Sequence, residues 1–573
     1  MMKRNGKYNS WTVLILLALL ASACGGKEEP SIKIAGISIC VDEGVTEQNL
    51  SSATRTASDS IPSDSSSDAT EVLNDFFLNQ TWSPDGSYLW EFERVKTQEA
   101  WEWSEGQGVR VAVIDNGIDP YHKVFEGHID LERSDFPFAF SGDDEDHGTH
   151  VAGTILGMAP HATFSFYHTT SNGCSDPGPK GAGMLTALAR GDRVLNNSWK
   201  DSEHYGPNPE ICNMVDAATS LGAIVIASAG NNGTNAFTQA PANCERALAV
   251  AATDYGDNAP SFSNTGEIGA PGVDIWSAFS GNTYGNLDGT SQAAPLVSGV
   301  VALLLSKNPD LTSEEVRQIL RLSADKVSDK DFDAEIGYGR VNALKALEWN
   351  TPVCEANILS PTVNHYDENL EVTWHGGREY RNAWSIVEGT ISIQGIANCP
   401  HSEFDHYELS YALGVEPAQE DWQVITEGYE ETLEGNLDSL NADLLPQGED
   451  GVYTLRLRVF DSEGNVFEDR NAIQIARAFI TNYPKSISIQ VESPITIRGL
   501  AKGDYSLQYS LDSIQWQSLT ETKSGSASGI LFENLDLCAP LGVFEGTVYL
   551  KLVVDSSAFG PVEDSIQLDL NCS

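Results

Sequence analysis

The sequence predicts an α/β fold, a doubly wound parallel sheet, followed by two β-sandwich domains. Three observations carry this expectation. Between Asn74 and Asn350, short apolar runs alternate with segments of helical spacing, the pattern of a parallel sheet covered on both faces. After Asn350 the texture changes to alternating apolar and polar residues, as in strands with one buried face. That alternating region also repeats: "ISIQGIA" (Ile391–Ala397) returns as "ITIRGLA" (Ile495–Ala501), about 100 residues further on. A chain of 573 residues is too long for one core.

The elements follow in order. Residues 1–23 read as a signal peptide: Lys3, Arg4 and Lys7 make a basic start, and "WTVLILLALL" (Trp11–Leu20) is apolar but short for a stable span. Ala21-Ser22-Ala23 fits an ordinary cleavage site. "LLASAC" also resembles a bacterial lipobox, in which Cys24 becomes the lipidated first residue. Both cut the same bond, so the chain is expected to be exported, anchored through a lipidated Cys24 or else secreted. Cysteine parity favours the anchor: nine Cys less Cys24 leaves an even set of eight, suited to an oxidising compartment. Cys174–Cys212 and Cys538–Cys572 are the expected pairs. Residues 24–73, rich in Ser, Asp and Thr around "SSATRTASDSIPSDSSSDAT" (Ser51–Thr70), read as a flexible tether.

Within 74–350, "VRVAVID" (Val109–Asp115), "ATFSFYH" (Ala162–His168), "RVLNNSW" (Arg193–Trp199), "AIVIASAG" (Ala223–Gly230) and "ALAVAATD" (Ala247–Asp254) read as buried strands. "GMLTALARGD" (Gly183–Asp192) and "ICNMVDAATSLG" (Ile211–Gly222) read as the helices between them. Residues 351–480 and 481–573 read as the two sandwiches. Their repeat also pairs "YELSYAL" (Tyr407–Leu413) with "YSLQYSL" (Tyr505–Leu511), and "GVYTLRLRVFD" (Gly451–Asp461) with "GTVYLKLVVD" (Gly546–Asp555). They resemble the immunoglobulin-like or fibronectin-like modules of secreted bacterial enzymes and are expected to act as spacers, with substrate or surface binding as the alternative.

Ligands of open parallel sheets bind beyond the carboxyl ends of the strands, so the polar residues there carry the chemistry. "VAVIDNGID" puts Asp115 at a strand end. "DHGTHVAGTILG" puts His147 near the start of a helix. "SAGNNG" puts Asn231 just past another strand, and "GTSQAAPLVSGVVALLL" puts Ser291 at the start of an apolar helix. A Ser hydroxyl is a weak nucleophile until an imidazole takes its proton. The imidazole needs a carboxylate to fix its tautomer, and the developing oxyanion needs donors such as an Asn amide and helix N-terminal N–H groups.

On these four motifs the region 74–350 resembles the subtilisin-like serine proteases, whose order along the chain is also Asp, His, Ser. The resemblance implies that Ser291 is the nucleophile, His147 the base and then acid, and Asp115 its orienter, with Asn231 and the Ser291 N–H holding the oxyanion. Protein or peptide substrates follow. The alternative is an inactive protease fold serving as a binding or adhesion lipoprotein. His150 lacks the H-E-x-x-H spacing of a zinc protease and is expected to be structural.

No cofactor is expected for catalysis. Structural Ca2+ is conceivable, but the family's tight site looks absent, because Val124 stands where relatives carry a ligating Asp. "NNSWKDS" (Asn196–Ser202) and "AFTQAPANC" (Ala236–Cys244) line substrate subsites by resemblance, and Lys200 would either favour acidic substrates or simply point to solvent. The net charge of −48, from 34 Lys+Arg against 82 Asp+Glu, argues against nucleic acid. A monomer is expected, with no membrane contact except through Cys24.

Overall fold

The structure is a computed structural model. It describes residues 31–40, 89–135, 143–170, 179–201, 208–233, 239–361, 374–375, 378–379, 386–387, 390–414, 416–441, 451–475, 478–480, 489–491, 493–542, 544–556 and 560–572. The signal peptide, Cys24, the Ser-rich stretch and Cys174 lie outside these. Among the described residues no helix is long and apolar enough to cross a membrane. The chain divides into two compact units, parted near Thr351.

The first unit begins with a hairpin, β1 (Ser31–Ile34) and β2 (Ile37–Cys40), antiparallel through a turn at Ala35-Gly36. Short helices α1 (Trp90–Arg94) and α2 (Thr97–Ala100) precede β3 (Arg110–Asp115). Then come α3 (Asp143–Met158), β4 (Thr163–His168), α4 (Ala182–Ala189), β5 (Val194–Asn197), α5 (Pro209–Ser220), β6 (Ile224–Ser228), β7 (Leu248–Thr253) and β8 (Ile268–Pro271). A second hairpin, β9 (Ile275–Phe279) and β10 (Thr283–Leu287), leads into α6 (Thr290–Lys307), α7 (Ser313–Ser323) and α8 (Ala343–Glu348). The sheet has six strands in the order β4-β3-β5-β6-β7-β8, and every pair is parallel. β3, β5, β6, β7 and β8 are buried at every position. Apolar runs such as Val111–Ile114 and Ile224–Ala227 are what a sheet covered on both faces requires.

The helix that carries Ser291 lies against the sheet and against α3. Gly299 makes that approach possible, since a Cβ there would overlap Met158. α7 starts with a capping box, Thr312 Oγ1 accepting from Glu315 N–H and the Glu315 carboxylate accepting from Thr312 N–H. Its buried Arg317 and Arg321 both grip Glu267, at 2.6 and 2.7 Å. Burial pushes the Glu267 carboxyl up, and the two guanidinium charges outweigh burial and hold it below its ordinary value.

One segment departs from expectation. Residues 31–40 lie in the stretch expected to be a flexible tether, yet they form the first hairpin. Ile32, Ile34 and Ile39 are buried, and β2 packs on α4. The alternating Ile32, Ile34, Ile37 and Ile39 make an apolar face that the helix covers.

The second unit holds two copies of one arrangement. In the first, Glu355–Ser360, Thr390–Asn398 and Thr432–Asn441 form one sheet, and Ile386–Val387, Val466–Ile475, Gly451–Asp461, Phe404–Leu413 and Gln423–Gly428 form the other. In the second, Ala478–Ile480, Ile495–Ala501 and Ala527–Leu535 form the small sheet. Ile489–Val491, Gly560–Cys572, Phe544–Ser556, Asp504–Ser510 and Gln517–Ser518 form the large one. The sheets share a core, as Ile497, Leu531, Leu507 and Leu550 do in the second copy. One link recurs: Ile358 N–H donates to Asp469 at 2.7 Å, and Ile480 N–H donates to Asp564 at 2.6 Å. Ala478–Ile480 thus pairs into the second copy, so the boundary expected after residue 480 falls before Ala478.

Three disulfides are present among the described residues: Cys212–Cys244, Cys354–Cys399 and Cys538–Cys572. Cys538–Cys572 is as expected. Cys174–Cys212 is not, because Cys212 on α5 pairs with Cys244, whose Cα lies 5.1 Å away, within bonding reach.

Candidate active site

Asp115 is the last residue of β3 and is 1% exposed. Its Oδ1 accepts the Asn116 N–H at 2.8 Å. His147 Nδ1 stands 3.0 Å from Oδ1 and 2.9 Å from Oδ2. A carboxylate only accepts, so Nδ1 carries the proton and donates it, which leaves the Nε2 lone pair for a substrate-side proton. Gly148 allows this approach: a Cβ there would overlap Gly117 O and crowd Asp115. The His147 side chain is 33% exposed, so it is reachable from solvent while its partner is buried.

Ser291 sits in the first turn of α6 and is half-buried. Gly289, the residue before the helix, takes φ +156°, and a Cβ there would press on Gln292 and Asn231. Pro295 removes the N–H that would bond to the Ser291 carbonyl one turn back. Ser198 Oγ–H fills that vacancy at 2.9 Å, and Ser291 Oγ–H donates to Ser198 O at 3.3 Å. Ser198 directly follows β5 and Asn231 follows β6 by a short loop, so Asp115, Ser198 and Asn231 stand at the carboxyl ends of three adjacent strands.

Asn231 is oriented by Thr290. The Thr290 N–H and Oγ–H both donate to Asn231 Oδ1 at 2.9 Å, while Thr290 Oγ1 accepts Gly230 N–H at 3.0 Å. With its carbonyl end held there, Asn231 presents Nδ2 towards Gly289, beside the Ser291 N–H. The structure therefore couples Asp115 to His147 directly, and Ser291 to Asn231 through Thr290.

His150 is buried and donates Nε2–H to Ile275 O at 2.8 Å. Burial pushes its imidazole down to about 3, and the peptide carbonyl it bonds offsets only part of that. It is neutral and internal. Val124 is also buried, in a short 3-10 helix, and its side chain offers no oxygen to a cation. No three His, Cys, Asp or Glu side chains among the described residues are grouped to hold a metal ion. Trp199 turns inward, its indole N–H donating to Asn197 Oδ1 at 3.0 Å. Asp201 is buried and accepts from Asn208 Nδ2 at 2.7 Å. Sequence reasoning missed the parts played by Ser198 and Thr290, although both lie inside the motifs; Pro295 was the signal for Ser198.

Residues 106–339 match the model of the Subtilase family, Peptidase S8. A thermophilic serine proteinase of Bacillus sp. (strain AK1) is 33% identical over 298 residues, which is 48% of this chain and 71% of that one. Subtilisin Savinase of Lederbergia lenta is 34% identical over 45% of this chain and 97% of its own. Thermitase of Thermoactinomyces vulgaris is 32% identical over 45% and 95%. The fold and the site define a hydrolase of the parallel α/β class. The chain belongs to the subtilase family of serine proteases.

Proposed function

We propose that the protein is an exported serine endopeptidase that cleaves peptide bonds through Asp115, His147 and Ser291, with Asn231 assisting at the oxyanion. The observation that carries this is the Asp115–His147 hydrogen bond, with Asn231 just past the end of β6 and Ser291, in the first turn of α6, bonded to Ser198 at the end of β5. His147 takes the Ser291 proton at Nε2 as Oγ attacks the scissile carbonyl. Asp115 holds the Nδ1–H and stabilises the imidazolium that forms. The oxyanion is met by Asn231 Nδ2 and the Ser291 N–H at the positive end of α6. His147 then returns its proton to the departing amine, and water hydrolyses the acyl-enzyme by the same steps in reverse.

Catalysis needs no metal or cofactor in this reading. With Val124 at a position that relatives give to a calcium ligand, chelator should move the melting temperature little. Substrates are proteins or peptides, and the protease acts as a monomer, anchored through Cys24 or secreted. The two sandwiches act as spacers.

A fluorophosphonate probe tests the reading. It should label the wild type on Ser291 and leave Ser291→Ala unlabelled. A folded wild type that takes no label would instead make the chain an inactive scaffold.

A further inference from the structure

The helix that carries His147 is gripped by the β9–β10 hairpin, through residues that the His147 motif only partly contains. In mid-helix, His150 bonds Ile275 O, and Ser277 Oγ–H donates to His150 O at 2.8 Å. Gly153 lies so close to Ser277 that no side chain would fit between them. Towards the amino end, the grip falls to Asp146, the residue directly before His147. Its Oδ1 accepts the Ser280 N–H at 2.9 Å and also the Ser280 hydroxyl.

Ser280 opens the turn of the hairpin, and that turn reaches the other half of the pair as well. Gly281 N–H donates to Asp119 Oδ2 at 2.9 Å, and Asn282 Oδ1 accepts Lys123 N–H at 2.7 Å. Asp119 in turn donates its N–H to Thr149 Oγ1 at 2.8 Å. The loop that follows Asp115 and the helix that carries His147 are thus tied to one turn. The Asp115 bond fixes the direction of the imidazole but not the position of the backbone beneath it. The first turn of a helix lacks intrahelical partners for its N–H groups and frays most readily.

We propose that Asp146 is a positioning residue for His147: through Ser280 it fixes the helix turn from which the imidazole projects. This rests on His147 being the general base. A small displacement of a catalytic group lowers turnover more than substrate binding.

The test is steady-state kinetics on a peptide substrate with the full chain. Asp146→Ala and Ser280→Ala should each lower kcat about tenfold with KM within about twofold, as misplacement of a base does. Because the two act through one bond, the double variant should fall no further than about twice the worse single, not by their product. Asp146→Asn still offers an Oδ1 to both Ser280 donors and should recover kcat to within about threefold of wild type. An Asp146→Ala kcat equal to wild type, a fall carried by KM, or multiplicative losses in the double variant would each overturn the proposal. Melting curves accompany every variant. Should Asp146→Ala not fold, Ser280→Ala and Asp146→Asn decide by the same criteria. Wild type that no fluorophosphonate labels sinks the functional reading itself; labelled wild type with an unaffected Asp146→Ala sinks only this one.

Discussion

The parallel sheet of the first unit and the largely antiparallel sheets of the second bury their strands in different ways. β3 is buried at every position, so its polar chemistry is displaced to the residue where the strand stops. In Ile495–Ala501 every second side chain is buried, and the ones between face outwards along the whole strand. Charged groups follow suit. Glu267, Arg317 and Arg321 are enclosed together in the first unit, whereas Lys551 pairs across two strands with a Glu563 that is 61% exposed. A doubly covered sheet confines polar chemistry to its strand ends, while a sandwich strand carries an outward row along its length.

The contrast can be broken by substitution. The largest effect belongs to the strand end: Asp115→Asn should lower kcat by about 10⁴-fold, the loss such a change causes in the triad of a serine protease, with a melting temperature near wild type. A comparable loss of stability would make Asp115 a packing residue instead. Next comes Glu267→Ala, which strands two guanidinium groups and should cost about 3–5 kcal/mol in urea unfolding. Glu563→Ala in the sandwich, which removes the exposed partner of Lys551, should cost at most about 1 kcal/mol, and equal costs would erase the distinction.

Asn231→Ala should lower kcat by about 10²–10³-fold, the range measured for this donor in subtilisin itself, while unfolding is unchanged. A further effect is one of pH. Glu91 on α1 is buried, and burial pushes its carboxyl up to about 8, with the peptide N–H groups of Glu91 and Trp276 offsetting part of the rise. The folded chain keeps a proton that the unfolded chain releases above pH 4.5. Its contribution to stability is complete below that pH and is lost as pH rises through 8. Wild type should weaken by on the order of 3 kcal/mol between pH 5 and 9 relative to Glu91→Gln. Parallel curves for the two proteins would show that Glu91 already ionises freely.

Much of this was legible beforehand because it is local. The strand from Val109 to Asp115 announces itself by an apolar run that ends in an acid, and the sandwiches by their repeat. Asp115, His147, Asn231 and Ser291 each stand in a short motif. What sequence did not disclose depends on distant approach. Cys212 pairs with Cys244 rather than Cys174 because α5 lies beside the loop ending at Cys244. Asp146 and Ser280 lie 134 residues apart, and nothing local links them. The first hairpin was overlooked for another reason. Its isoleucines alternate plainly, but only ten residues carry the pattern, within surroundings too polar to fold.

That hairpin alters the geometry of any membrane attachment. With residues 24–73 all slack, a lipid on Cys24 would let the protease range on the order of 170 Å from the bilayer. With Ser31 already seated against the globule, the leash shrinks to Gly25–Pro30 and its reach to about 25 Å. An enzyme held so near its surface would meet what sits on the envelope far more often than what diffuses past it.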